Sequence, residues 1–432
     1  RPFYDLHKAL ILDVLNDEAG AKAAYEEALK QTLVPSTRLV IAAASFRTRH
    51  EDAEGALKQL KAFLAQNQGA LNVRLAIAQI EAGQSLPPLV ANAAEGYGEF
   101  LSNLAVALQQ ESYGRQAIFY ARVSQLLRPD NAATLYGLGN ILQEDGRHAD
   151  AIKAYAQVPK EARLSWAARQ SMAVSLITIK RDEEAAALIE RMAKERPDQW
   201  QILQLLGNMY RARSEYEKSL SAYERAVKRI PKIDARHWNL LYVRGIAYER
   251  TKRWPQAEAD LKKALTFRPD EPSLLNYLAY SWVERGENLK EAEAMLVRAV
   301  KERPDDGFIV DSLGWVLYRL GRFQEAVIYL EKAVAEESED PTLNDHLGDC
   351  YWRLGRRDEA RFQWRRALTL KPEKEDIAKI EAKLKDGMAP FKPVVQKAPA
   401  PKDDPKKDAP KKDAPTTGAP TTGAPKKDGP KQ

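Results

Sequence analysis

The stretch QILQLLGNMYRARSEYEKSLSAYERAVKRIP, residues 201–231, decides the fold. Gly207 and, twelve residues on, Ser219 are small; Leu206, Tyr210 and Tyr223 are large; Pro231 closes the segment. Helices that cross closely tolerate only small side chains at their contact points, and large residues must fill the space around them. Proline ends the second helix because it lacks an N–H and its ring clashes with the preceding turn. The stretch therefore predicts a helical hairpin that cannot bury its own apolar face and must stack on a neighbour.

The same pattern recurs on both sides. Ala105, Gly139, Ala173, Gly207, Gly245, Ala279, Gly314 and Gly348 follow one another at spacings of 34, 34, 34, 38, 34, 35 and 34. A second small residue comes twelve later, or thirteen in one case: Ala117, Ala151, Ala185, Ser219, Ala257, Ala292, Ala326 and Ala360. Pro129, Pro197, Pro231, Pro269, Pro304 and Pro372 close units. A fixed period near 34 residues is the signature of stacked hairpins, so residues 98–374 read as eight units in register. Ala21, Tyr25 and Ala28, then Ala56, Leu60 and Phe63, suggest two degenerate hairpins in residues 1–70. Residues 71–97 hold an apolar helix followed by Pro87-Pro88, which stops a helix. They read as an irregular inter-repeat loop, with a dedicated binding segment as the other reading. In residues 375–388, Ile377, Ile380 and Leu384 share one face of a charged helix, the pattern of a capping helix. From Ala389 to Gln432 the chain turns to Pro, Ala, Lys and Asp, which predicts a disordered tail acting as a solvated tether.

That tail absorbs the charge. It carries ten Lys and five Asp, a net +5 out of the whole chain's +6. The body is close to neutral and lacks the electrostatic footprint of a nucleic-acid binder. No apolar run approaches the ~18 residues of a membrane span. His7, His50, His148, His237 and His346 fall in separate units, never at metal-ligand spacing. No Gly-rich phosphate loop follows a strand, and no nucleophile, base and acid set stands out. The chain is expected to be non-catalytic, without cofactor or metal. Its lone cysteine, Cys350, reads as a packing residue.

These residues resemble the tetratricopeptide repeat family, whose pattern runs large residue, Leu-Gly or Leu-Ala, Tyr, Ala, large residue, Ala and Pro. The resemblance implies an all-α, right-handed α-solenoid of about ten helical hairpins with a C-terminal capping helix, acting as a scaffold that binds a protein or peptide on its concave surface. In that family, positions 2, 5, 9, 12 and 13 of each first helix face the concave wall. In the last four units they give Tyr242, Ile246, Arg250, Asn276, Tyr280, Phe308, Asp311, Trp315, Tyr318, Arg319, Asp345, Asp349, Trp352 and Arg353. Exposed Trp, Tyr and Arg anchor protein partners well, so the expected binding residues are Tyr242, Asn276, Tyr280, Asp311, Trp315, Tyr318, Arg319, Asp345, Asp349, Trp352 and Arg353. Trp315 and Trp352 have a second reading, as fillers between adjacent helices. The unit at 200–233 offers Gln201, Gln204, Asn208 and Arg211, merely polar. Asp311, Asp345 and Asp349 would repel a carboxylate, which disfavours a clamp for a chain terminus.

Three stretches are more specific: residues 276–282 (NYLAYSW), 304–315 (PDDGFIVDSLGW) and 344–349 (NDHLGD). They resemble a proteobacterial subfamily that includes outer-membrane lipoproteins acting as adaptors for a periplasmic carboxyl-terminal processing protease. The resemblance implies a periplasmic or outer-membrane-associated adaptor that brings this protease and substrates such as cell-wall hydrolases together. Membrane attachment would need an N-terminal anchor that these residues do not include. The alternative is a cytoplasmic assembly protein forming homo-oligomers through stacked solenoids.

Overall fold

The computed structural model describes residues 2–31 and 35–392; of the tail expected from Ala389 to Gln432, residues 393–432 lie outside them. Among the described residues there are twenty-two α-helices and no strand. The fold class is an all-α repeat solenoid of ten hairpins and two single helices. The chain divides into two compact units, Arg1–Arg268 and Pro269–Gln432.

The first unit holds hairpins α1 (Pro2–Val14) with α2 (Glu18–Gln31) and α3 (Thr37–Arg49) with α4 (Ala53–Gln66), then the single helix α5 (Leu71–Glu81). It continues with α6 (Ala93–Gln110) and α7 (Gly114–Leu127), α8 (Ala132–Glu144) and α9 (His148–Ala156), and α10 (Ser165–Thr178) and α11 (Asp182–Glu195). Its last hairpins are α12 (Gln201–Ala212) with α13 (Tyr216–Lys228) and α14 (Trp238–Arg250) with α15 (Trp254–Phe267). The second unit pairs α16 (Pro272–Arg285) with α17 (Leu289–Glu302), α18 (Gly307–Arg319) with α19 (Phe323–Glu336), and α20 (Pro341–Arg353) with α21 (Arg357–Thr369), followed by α22 (Lys374–Asp386).

The small residues sit where helices meet. A Cβ on Gly207 would lie 2.3 Å from the ring of Tyr223, and one on Gly139 2.3 Å from that of Tyr155. Each buried tyrosine also keeps its hydroxyl paired: Tyr223 donates to Asn208 (2.7 Å), and Tyr155 to Gln143 (2.7 Å). In the second unit Leu330 and Trp364 take the tyrosine's place over Gly314 and Gly348. The two irregular spacings have local causes. The 38-residue unit inserts a 3-10 turn, Ala235–His237, in which the Asp234 carboxylate accepts from the Arg236 N–H and His237 Nδ1 accepts from the Asp234 N–H. The 35-residue step lengthens the turn between α16 and α17, where Gly286 and Asn288 adopt left-handed conformations.

After α5 no second helix follows. Residues 85–90 cross α3 instead: Ser45 Oγ donates to the Pro87 carbonyl (2.7 Å), Thr48 Oγ1 accepts from the Leu86 N–H (3.1 Å), and Ser85 Oγ donates to the Thr48 carbonyl (3.1 Å). Leu86 and Val90 are buried. Helix α6 then packs on α1, with His7 edge-on to Phe100 at 5.5 Å. Its buried Glu99 receives both Arg38 of α3 and Arg128. The Pro87-Pro88 stretch is thus a strap laid on a first helix.

Candidate partner-binding face

The first helices of the second unit, α16, α18 and α20, carry most of the expected binding residues. Asp311 of α18 and His346 of α20 are buried and stand 2.9 Å apart. The Trp315 indole stacks on His346 (centroids 3.9 Å, planes 9° apart) and on Tyr318 (4.6 Å, 5°), and its Nε1 donates to Glu284 (2.7 Å). Arg319 reaches the same carboxylate at 3.6 Å. Trp315 therefore fills the gap between α18 and α20. Burial works against protonating His346, but Asp311, with Asp345 and Asp349 behind it, raises its pKa.

One turn along α20, Asp345 and Asp349 share Lys383 of α22: Nζ lies 2.8 Å from Asp345 and 2.7 Å from Asp349. Trp364 Nε1 also donates to Asp349 (2.9 Å). Burial, helped by Asp345, pushes the Asp349 carboxyl up to about 6 despite this lysine. Trp352 lies between α20 and α21, with the Arg357 guanidinium 3.8 Å from its ring, Trp364 at 5.3 Å, and Gly387 directly against the indole. Arg353 Nη1 donates to the Ala389 carbonyl (2.6 Å).

The structure differs from the sequence expectation in two respects. Asp311, Tyr318 and Asp349 are buried, and Trp315, Arg319, Asp345, Trp352 and Arg353 are half-buried with partners already in place. They form a wall that is largely occupied, because paired aspartates can be buried where free ones cannot. Of the tail expected from Ala389, the described residues Ala389–Phe391 are instead seated on this face, Phe391 lying edge-on to Tyr318 (5.9 Å) and Phe323 (4.9 Å). Tyr242 belongs to the first unit, half-buried beside Trp238 (6.5 Å). Sequence reasoning missed Glu284, His346, Lys383 and Phe391 as parts of this arrangement. Phe391 alone left a signal, an aromatic residue opening a Pro/Ala/Lys segment.

The open part of the second unit's face is a cleft of about 300 Å³ whose lining includes Asn276, Tyr280, Phe308, Asp311, Ser312 and Thr342. Phe308 is half exposed, and Asn276 Oδ1 is buried without a hydrogen-bond partner. Burial, with Glu284, Asp311 and Asp376 adding to it, raises the Tyr280 hydroxyl pKa. Among the described residues no group of three His, Cys, Asp or Glu is arranged to hold a metal ion. No described helix is long and apolar enough to cross a membrane.

A family model described as tetratricopeptide repeat matches residues 110–165, 283–341 and 312–375, and one described as the N-terminal repeats region of Psidin matches residues 141–263. The chain is a tetratricopeptide repeat protein. A curated relative, TPR repeat-containing protein PA4667 of Pseudomonas aeruginosa, is 29% identical over 196 residues. That match takes in 45% of this repeat protein and 32% of the relative, so the chain spans about a third of the relative's length. Similar solved structures include a tetratricopeptide repeat protein from Parabacteroides merdae (20% identity, TM-score 0.40, covering 67% of this chain and 98% of that one). Another is TTC0263 from Thermus thermophilus (24%, 0.37, covering 43% and 98%). YrrB, described as having an unusual peptide-binding site, is 19% identical with a TM-score of 0.35, covering 45% and 97%. Tetratricopeptide repeat proteins are typically non-catalytic scaffolds for protein–protein interaction.

Proposed function

We propose that this tetratricopeptide repeat protein is a non-catalytic adaptor that engages a partner segment through the first-helix face of its second unit. The observation that carries this reading is the cleft between α16 and α18, where an exposed aromatic ring, Phe308, stands beside Asn276 with its buried, unpaired Oδ1. A large aromatic side chain exposed in a cleft offers a partner much apolar area to bury, and aromatic rings dominate interface energetics. The resemblance carried by residues 276–282, 304–315 and 344–349 supports a finer reading: a bacterial-envelope adaptor, in the periplasm or at the outer membrane, joining a carboxyl-terminal processing protease to its substrates. The test is a cleavage assay with the cognate protease and a cell-wall hydrolase. The chain is expected to raise the cleavage rate, and Phe308→Ala with Asn276→Ala to weaken binding about ten-fold, the size of a lost anchor residue. Equal cleavage with and without the chain would refute the adaptor reading.

One feature favours assembly of copies. Between α1 and α6 lies an apolar cleft of about 340 Å³ beside Ile11, Leu15 and Tyr97, each more than half exposed. Contiguous apolar surface of this kind marks interaction sites. Sedimentation at several concentrations, with Ile11→Asp as the control, decides it: a wild-type chain that stays monomeric throughout discards this reading.

A further inference from the structure

Asp345 and Asp349 lie one helical turn apart on α20, and Asp349 is buried. A buried carboxylate left without a cation is strongly unfavourable, so this face requires a positive charge. Lys383 supplies it from α22, with Nζ 2.8 Å from Asp345 and 2.7 Å from Asp349. Eight residues later Phe391 sits in a corner made by Tyr318, Phe323 and the Arg353 guanidinium, which lies 5.6 Å from its ring centroid. Arg353 also donates to the backbone carbonyl of Ala389. An ammonium between carboxylates, a main-chain carbonyl on an arginine and an aromatic ring in a pocket are the contacts by which grooves read segments of other proteins.

Beyond these contacts the resident segment rests on Ile380, on the half-buried Ile377 and Leu384 and on Gly387 against Trp352. Helix α22 buries only Ile380 completely, whereas α21 buries Trp364, Ala360 and Ala367. Glu375, Lys379, Glu381 and Lys385 face solvent, and Phe391 is only half-buried. Hydrophobic stabilisation scales with the apolar area removed from water, so α22 and residues 387–391 contribute little of it. Every polar contact they make can be remade by like groups on another chain.

We propose that the face formed by α18 and α20 binds a protein segment in which a lysine is followed about eight residues later by an aromatic residue, and that α22 with Phe391 is the resident stand-in that such a segment displaces. The proposal rests on the adaptor reading above and names the chemistry of its partner. An occupant without a cation would strand Asp345 and Asp349, which is how the face discriminates.

The test uses the full chain and a labelled peptide of residues 374–392 as the probe. Competition in cis reduces apparent affinity by the fraction of chains whose face is open. The Phe391→Ala chain is therefore expected to bind the probe about ten-fold more tightly than wild type, with unchanged helicity. Probes carrying Lys383→Glu or Phe391→Ala are expected to lose that binding. Equal affinity in wild-type and Phe391→Ala chains, or indifference of the probe to Lys383→Glu, overturns the proposal. If no chain binds the probe while a partner still engages in a Phe308-dependent manner, displacement falls and the adaptor reading stands. If the probe binds as expected and no Phe308-dependent partner is found, the adaptor reading is the one that fails.

Discussion

In the first unit residues 85–90 lie on Ser45 and Thr48 of α3, and in the second residues 383–391 lie on Asp345, Asp349 and Arg353 of α20. Both stretches cross a first helix of their own unit, yet they are fastened differently. The first is held by neutral hydroxyl–backbone hydrogen bonds around two buried apolar side chains, Leu86 and Val90. The second is held by a lysine between two carboxylates and by a half-buried ring. Buried backbone groups must keep those particular partners, whereas a carboxylate pair requires a cation and is indifferent to which chain supplies it. The same geometry is a permanent part of the fold in one unit and an exchangeable one in the other.

The largest test of that contrast is Leu86→Ala, which should cost about 2–4 kcal/mol because a buried side chain is truncated. Denaturant unfolding should show the loss in the first unit. A midpoint unchanged from wild type would mean that the strap is not structural.

A smaller effect comes from pH. The folded-state pKa values of Asp349, at about 6, and of His346 are both raised. The folded second unit therefore binds more protons than the unfolded chain, and its stability falls as pH rises. For Asp349 the window runs from its ordinary value near 4 to about 6; the His346 contribution is lost above that. Asp311, Asp345, Lys383 and the Trp364 indole surround these groups. The second unit should melt at a higher temperature at pH 5.5 than at pH 7.5, and Asp349→Asn should flatten the dependence. A melting temperature that rises with pH across this interval contradicts the assignment.

Least visible in stability is Gly387→Ala. Gly387 has φ +74°, and a Cβ there would come 2.2 Å from Trp352. The substitution should free residues 374–391 with little change in melting temperature, read as about ten-fold faster amide exchange confined to α22. Uniform exchange across the second unit would show instead that α22 is integral to it.

Much of this was legible in the residues. Gly139, Gly207, Gly314 and Gly348 mark helix contacts because each Cβ position is filled by a ring or branched side chain. Pro87-Pro88 announces the end of α5, yet its seat on α3 depends on Ser45 and Thr48, some forty residues earlier, which no local pattern links to it. Charge on a helix ordinarily reads as a solvated face, so Lys383 gave no sign that it closes on two carboxylates of α20. Positions 5, 9 and 12 of the repeat say where a side chain points and not what already covers it.

The extra turn at Ala235–His237 closes its own polar groups, since His237 Nδ1 accepts from the Asp234 N–H and the Asp234 carboxylate accepts from the Arg236 N–H, while the buried His237 ring packs on Trp200. The hairpin junction between α13 and α14 is thus a place where the gene can lengthen without loss of phase. A short epitope or reporter loop belongs at that junction, where the array has already accommodated an insertion.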